Sequence, residues 1–275
     1  MPGGSYYRSY DAAPDLLFGD MSAPATVSTF SLDKYEVTVG RFRQFVRAGM
    51  ATRATPPAAG AGGRTLNGIA NQGGWDPTWN TDLAADTTAL IAAFQCDPQY
   101  VTWTDVPGAN ESRPMNCITW YEALAFCAWD RGSLPSEAEW NYAAAGGSLQ
   151  RAYPWSSPPE STTIDCTRAT YGGASWPTTA CADGTNDVGT SSPIGDGRWG
   201  HVDLSGNAWE WLEDLYAIAY PTPCADCANL SAGTTRVIRG GSFTDNPRTQ
   251  RSAHRDHIPA LERHYNVGVR CARAS

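Results

Sequence analysis

At 275 residues, with 41% hydrophobic and 11% aromatic residues, the chain has ample material for a packed core and is not a disordered segment. Its 20 basic residues against 28 acidic ones leave a formal net charge of −8, which disfavours nucleic acid and anionic lipid as partners. No apolar run is long enough to span a bilayer, and 27 glycines with 19 prolines point to a loop-rich fold rather than a helical bundle.

Residues 1–37 alternate short apolar runs with turns and read as strands. Residues 27–32 alternate with period two, and Tyr35-Glu36-Val37 continues the extended reading. Thr38 is placed as the N-cap of a first helix, in which Val39, Phe42, Phe45 and Val46 recur at helical spacing until Gly49. Residues 51–115 read as an irregular excursion with one short helix over 86–94. Thr119 with Glu122, and Ser136 with Glu139, have the spacing of capping boxes, so two further helices are expected, ending at Gly132 and Gly146. Residues 147–200 are loop-rich again. Residues 237–243 read as a strand broken by Gly240-Gly241, where backbone or ligand approaches closely, and residues 267–271 as a closing strand. No compositional break marks a linker, so one domain over 1–275, and a monomer, are expected.

Eight cysteines, Cys96, Cys117, Cys127, Cys166, Cys181, Cys224, Cys227 and Cys271, suit disulfides formed in an oxidising compartment. Zinc is the alternative, but it needs paired CxxC motifs and only Cys224-Ala225-Asp226-Cys227 qualifies. An extracellular or periplasmic location is therefore expected. Met1-Pro2-Gly3-Gly4 has neither the charge nor the apolar run of an export signal, so none is read in these residues.

Four ordered segments carry a resemblance: Tyr35-Glu36-Val37-Thr38; the stretch from Arg131-Gly132-Ser133-Leu134-Pro135 to Trp140; Gly206-Asn207-Ala208-Trp209-Glu210-Trp211; and Arg239-Gly240-Gly241-Ser242-Phe243 with Asn266-Val267-Gly268-Val269-Arg270 downstream. Together they resemble the formylglycine-generating enzyme, or sulfatase-modifying factor, family over nearly the whole chain. The resemblance implies an α+β, C-type-lectin-like fold of small twisted sheets, a few helices and extensive loops. It also implies a Cys127–Cys271 bridge. The remaining pairs, Cys96–Cys117, Cys166–Cys181 and Cys224–Cys227, rest on proximity in the chain, because eight cysteines permit about 105 arrangements.

The family oxidises a substrate cysteine at copper held by two thiolates, which soft Cu(I) prefers. Its two cysteines stand three residues after the Ser of the Arg-Gly-Gly-Ser segment and five further on. Here those places are Asp245 and Gln250, so neither copper nor oxidase activity is expected. The loop from Asp203 to Glu210 resembles the family's calcium loop, implying a structural Ca²⁺ held by Asp203 and Glu210 side chains and the carbonyls of Gly206 and Ala208; hard oxygen donors are what that ion takes. His254, His257 and His264 lie near Asp245, Asp256 and Glu262. Two histidines and a carboxylate could hold non-haem iron, but a polar surface loop is the favoured reading. Arg239, Arg251, Arg255, Arg263 and Arg270 read as structural ties in preference to an anion pocket. Trp209 and Trp211 read as core, while Tyr171, Trp176 and Trp199 could stack on a sugar or peptide. The expectation is a secreted, non-oxidase family member that binds a peptide, glycan or small molecule through Ser242, Asp245, Gln250, Arg251, His254 and Arg255. The alternatives are iron-dependent oxidation or retained formylglycine generation.

Overall fold

Side-chain oxygen caps start the helices where the local sequence places them. In the computed structural model, which describes residues 1–172, 180–231 and 233–274, the Thr38 side chain accepts the Arg41 amide and opens α1 (Val39–Arg47). Asp86 opens the short α2 (Thr87–Ala93). Reciprocal capping boxes open α3 (Trp120–Trp129) and α4 (Glu137–Ala145), and Gly146, at φ 67°, closes α4 in the left-handed region that glycine reaches at no steric cost.

The strands are short and scattered among several sheets. β1 (Gly4–Tyr7) pairs antiparallel with β2 (Pro24–Val27), and β3 (Phe30–Leu32) with the last strand, β10 (Ala272–Ala274). β4 (Arg64–Leu66) and β5 (Ile69–Gln72) form a small hairpin within the irregular excursion. The main sheet has β6 (Trp209–Leu215), β7 (Thr235–Arg239), β8 (Arg255–Pro259) and β9 (Val267–Gly268) in the order β8-β7-β6-β9, antiparallel except for the β6–β9 pair.

Two hydrophobic clusters sandwich that sheet. Trp209, Trp211 and Ile238 pack with α1 and α3, where Phe42 and Phe45 lie 5.2 and 5.5 Å from Phe126. Leu212 and Val237 pack on the other face with Trp140, Ala143 and Ala144 of α4. The alternation Trp211/Leu212 and Val237/Ile238 is the period-two geometry of strands buried on both sides. The Cys127–Cys271 disulfide joins α3 to the segment before β10, and Cys96–Cys117, Cys166–Cys181 and Cys224–Cys227 are also bonded, leaving no free cysteine among the described residues. No helix among them is long and apolar enough to cross a membrane.

Four local expectations change. The alternating run 27–32 breaks at Ser28-Thr29, because its halves pair with different strands. Tyr35-Glu36-Val37 is not a strand; the Val37 amide bonds the Val269 carbonyl at 2.7 Å while the Val37 carbonyl takes the Met115 amide at 2.8 Å, so one residue bridges two separate segments. Of the closing strand expected over 267–271 only β9 forms, for the same kind of reason: the Val269 and Cys271 carbonyls are bonded to Val37 and Asp33, and β10 begins beyond it. The segment around His254–His257, expected as a surface loop, is largely strand: β8 pairs with β7 through five residues, from Thr235↔Pro259 to Arg239↔Arg255.

Candidate functional site

The turn that follows β7 sets the geometry. Gly240 and Gly241 have φ of 104° and 72°, and a Cβ on Gly241 would lie 2.6 Å from Gln250 Oε1. Only glycine tolerates both the dihedral and the approach. The turn is bonded to the loop before β6: Gly206 donates to the Gly240 carbonyl at 2.9 Å, and Phe243 to the Asn207 carbonyl at 3.1 Å.

Ser242 sits at the centre of this turn, fully buried. Its amide donates to Asp245 Oδ2 at 3.0 Å, its hydroxyl donates to the same oxygen, and its carbonyl takes Gln250 Nε2 at 3.0 Å. Trp209 Nε1 gives Asp245 Oδ2 a further bond at 2.9 Å. Asn266 Nδ2 reaches both the Ser242 and Thr244 hydroxyls at 3.2 Å. Asp245 Oδ1 accepts no bond among the described residues. Burial holds the Asp245 carboxyl above the ordinary range, against the lowering effect of its Ser242 and Trp209 bonds. His254 packs beside Trp209, ring centroids 5.7 Å apart, with Nε2 buried and unpartnered. Burial, then Arg239, pushes its imidazole down to about 4, so it is neutral at physiological pH. Tyr100 and Tyr265, 5.0 Å apart, flank Phe243 beside this patch.

Thus Asp245 and His254 border a half-buried patch, whereas Ser242 and Gln250 support it from beneath and are fully buried. Arg251 and Arg255 are not free to meet a ligand. Arg251 Nη2 pairs with Asp11 at 2.6 Å and its Nη1 with Asp15 at 3.0 Å; Arg255 pairs with Glu137 at 2.8 Å. Arg239, Arg263 and Arg270 are likewise tied to Glu137, Glu122 and Glu210, so the arginine stretch consists of structural ties. The histidines are not gathered: His257 stacks on Tyr216 and His264 bonds Glu262 at 2.9 Å. Trp199 is stacked on Tyr142, Tyr171 is buried, and Trp176 lies outside the described residues.

The Asp203–Glu210 loop has a different character. Glu210 is fully buried, with Oε1 facing Arg270 Nη2 at 2.7 Å and Oε2 facing both Arg270 Nε and Trp140 Nε1 at 2.7 Å. Glu36, unremarked by the sequence reading although it lies in a motif quoted above, accepts the Ala208 amide at 3.0 Å and Asn207 Nδ2 at 2.7 Å. Burial, then the neighbouring Asp203 and Glu210, pushes Glu36 well above the carboxylate range, and burial pushes Asp203 up to about 6. Three carboxyl groups therefore surround one guanidinium, Arg270. Among the described residues no group of three or more His, Cys, Asp or Glu is arranged to hold a metal by side chains alone.

The profile of the sulfatase-modifying factor enzyme 1-like domain matches residues 1–275. The chain belongs to that family. It is 28% identical over 270 residues to the formylglycine-generating enzyme of Thermomonospora curvata, covering 88% of this chain and 81% of that protein. It is 26% identical to the inactive C-alpha-formylglycine-generating enzyme 2 of Mus musculus, covering 99% and 84%. The solved structure of PvdO from Pseudomonas aeruginosa superposes with a TM-score of 0.66 at 22% identity, covering all of this chain and 93% of the other, which is a likeness of fold. Within this family, Asp245 and Gln250 stand at the places that the resemblance assigns to the two copper thiolates.

Proposed function

We propose that this family member binds a ligand over the Asp245–His254 patch and does not perform the copper-dependent oxidation of cysteine. The supporting observation is the state of Asp245. Its Oδ2 is pinned by Ser242 and Trp209, which orients Oδ1 as an acceptor on a half-buried surface. Gln250, at the second thiolate place, is sealed under the turn, and every cysteine is in a disulfide. A carboxylate and a buried amide are hard donors that suit Cu(I) poorly. The ligand, whether peptide, glycan or small molecule, is one that presents a hydrogen-bond donor to Asp245 and a flat face to Tyr100 and Tyr265. The four disulfides favour an oxidising compartment for this work.

Copper-loaded protein incubated with a cysteine-containing sulfatase peptide is expected to yield no aldehyde by mass spectrometry. Turnover at an ordinary enzymatic rate overturns the reading. An array of peptides and glycans is expected to give hits that Asp245→Ala abolishes while circular dichroism stays unchanged.

The calcium loop belongs to the same proposal. Its support is the resemblance of the Asp203–Glu210 loop to the family's calcium loop, whose hard oxygen donors suit that ion. Asp203 and the Gly206 and Ala208 carbonyls would hold it, Glu210 joining them only by giving up bonds to Arg270, and the ion would cross-link the loop carrying Trp209 without entering any reaction. If so, chelator lowers the melting temperature of the wild type and leaves Asp203→Asn unmoved, because ligand binding to the folded state alone raises stability. A wild type indifferent to chelator and to added Ca²⁺ counts against the ion.

A further inference from the structure

Away from the Asp245 patch, at the far end of β6 and β7, lies a cavity of about 430 Å³ lined by Trp79, Tyr121, Leu215, Leu230, Arg236 and Leu261. Its size falls in the range of small-molecule sites. Arg236 is the unusual member. It is only 8% exposed, and its guanidinium lies flat on Trp120, 3.5 Å from the ring centroid. Nη1 donates to the Glu213 carbonyl at 2.6 Å. Arg236 lines the cavity, and among the described residues its Nε and Nη2 make no hydrogen bond.

The other buried arginines near β7 differ on this point. Arg239 and Arg270 are each in a carboxylate pair, with both side chains of each pair nearly inaccessible. Among the described residues Arg236 has no such partner within bonding distance. The nearest acids act on it without a side-chain hydrogen bond among the described residues: Glu213 and Asp214 are close enough for charge interaction, Asp214 is occupied by the Glu137 and Asn229 amides at 2.7 Å each, and Asp82 stands beside the Tyr121 hydroxyl. A guanidinium held flat on an indole offers its edge to an incoming planar anion, the geometry in which arginine grips a carboxylate with two donors. Trp79, Tyr121 and the leucines supply an apolar wall for whatever the anion is attached to.

We propose that this cavity is a second binding site, selective for a small carboxylate carried on an apolar or aromatic body, with Arg236 as its anion anchor. The site is independent of Asp245. Ligand-observed NMR titration of the full chain with phenylacetate and with phenylacetamide compares a charged and a neutral ligand of the same shape. Phenylacetate is expected to bind at least about tenfold more tightly, the value of one charge-assisted hydrogen bond. Arg236→Gln removes that preference. Leu261→Asp, at a rim position 57% exposed and so harmless to folding, weakens phenylacetate selectively. Asp245→Ala changes neither ligand, which separates this site from the patch above. Equal affinities, no binding of phenylacetate at high millimolar concentration, or a folded Arg236→Gln that keeps the preference overturns the proposal. If Arg236→Gln fails to fold, Leu261→Asp decides, and an unchanged affinity there overturns it equally.

Discussion

The Glu210–Arg270 region and the Asp245 patch are joined through the Gly206–Gly240 and Asn207–Phe243 bonds, yet they treat polar groups in opposite ways. Around Arg270 every nitrogen is engaged: Nε and Nη2 on Glu210, Nη1 on the carbonyls of Asp33 and Lys34, Nη2 also on that of Val202. Around Asp245, among the described residues, one oxygen is saturated and the other accepts no bond, and His254 Nε2 has no partner. Saturated networks in a low-dielectric interior hold a geometry, whereas unsatisfied groups there cost free energy unless a ligand meets them. The first region is the frame and the second is what the frame presents.

That contrast sets the order of the expected effects. Replacing Cys127 and Cys271 together by alanine opens a closure of 144 residues, worth about 5 kcal/mol in the chain-entropy description, and should show in denaturant midpoints. Arg270→Leu strands the buried Glu210 carboxylate and should cost about 3–5 kcal/mol in the same assay. A loss under about 1 kcal/mol there would mean the frame is not held by this pair.

Glu213 tests the cost of burying a carboxyl group. Its folded value of about 8 lies above the ordinary 4.5, so the folded state keeps a proton that the unfolded chain has lost. Stability from this group is fully present below the lower value and falls as pH rises to the higher one. Glu213→Gln should therefore match the wild type near pH 4.5 and exceed it by on the order of a few kcal/mol near pH 8. Parallel pH profiles of unfolding free energy for the two proteins would refute the shift. The smallest effect belongs to the patch: Asp245→Ala frees the Trp209 and Ser242 donors at a half-buried position and should cost about 1 kcal/mol, while ligand capture disappears.

Much of the architecture was legible because its signals are local. Thr38, Thr119 and Ser136 cap helices by reaching three residues along the chain, and Gly146 ends one through its own φ. The Arg-Gly-Gly-Ser and Gly-Asn-Ala-Trp-Glu segments pointed to the family and to the bridge between Cys127 and Cys271. The β8 strand was missed, because Arg255-Asp256-His257 has no apolar alternation and becomes a strand only by pairing with β7.

The site divides along the same line. The family resemblance put Asp245 and Gln250 at the places of the family's two cysteines, since the register is counted along the chain from the Arg-Gly-Gly-Ser segment. The sequence could not tell that Gln250 is sealed in, that Arg251 reaches back to Asp11 and Arg255 to Glu137, or that Arg236, with no carboxylate pair among the described residues, lines a cavity. Those outcomes depend on which acid arrives from more than a hundred residues away, as Glu137 does for Arg255 and Asp11 for Arg251. A guanidinium becomes a tie or a binding group according to whether folding brings it a carboxylate, and only tertiary packing decides that.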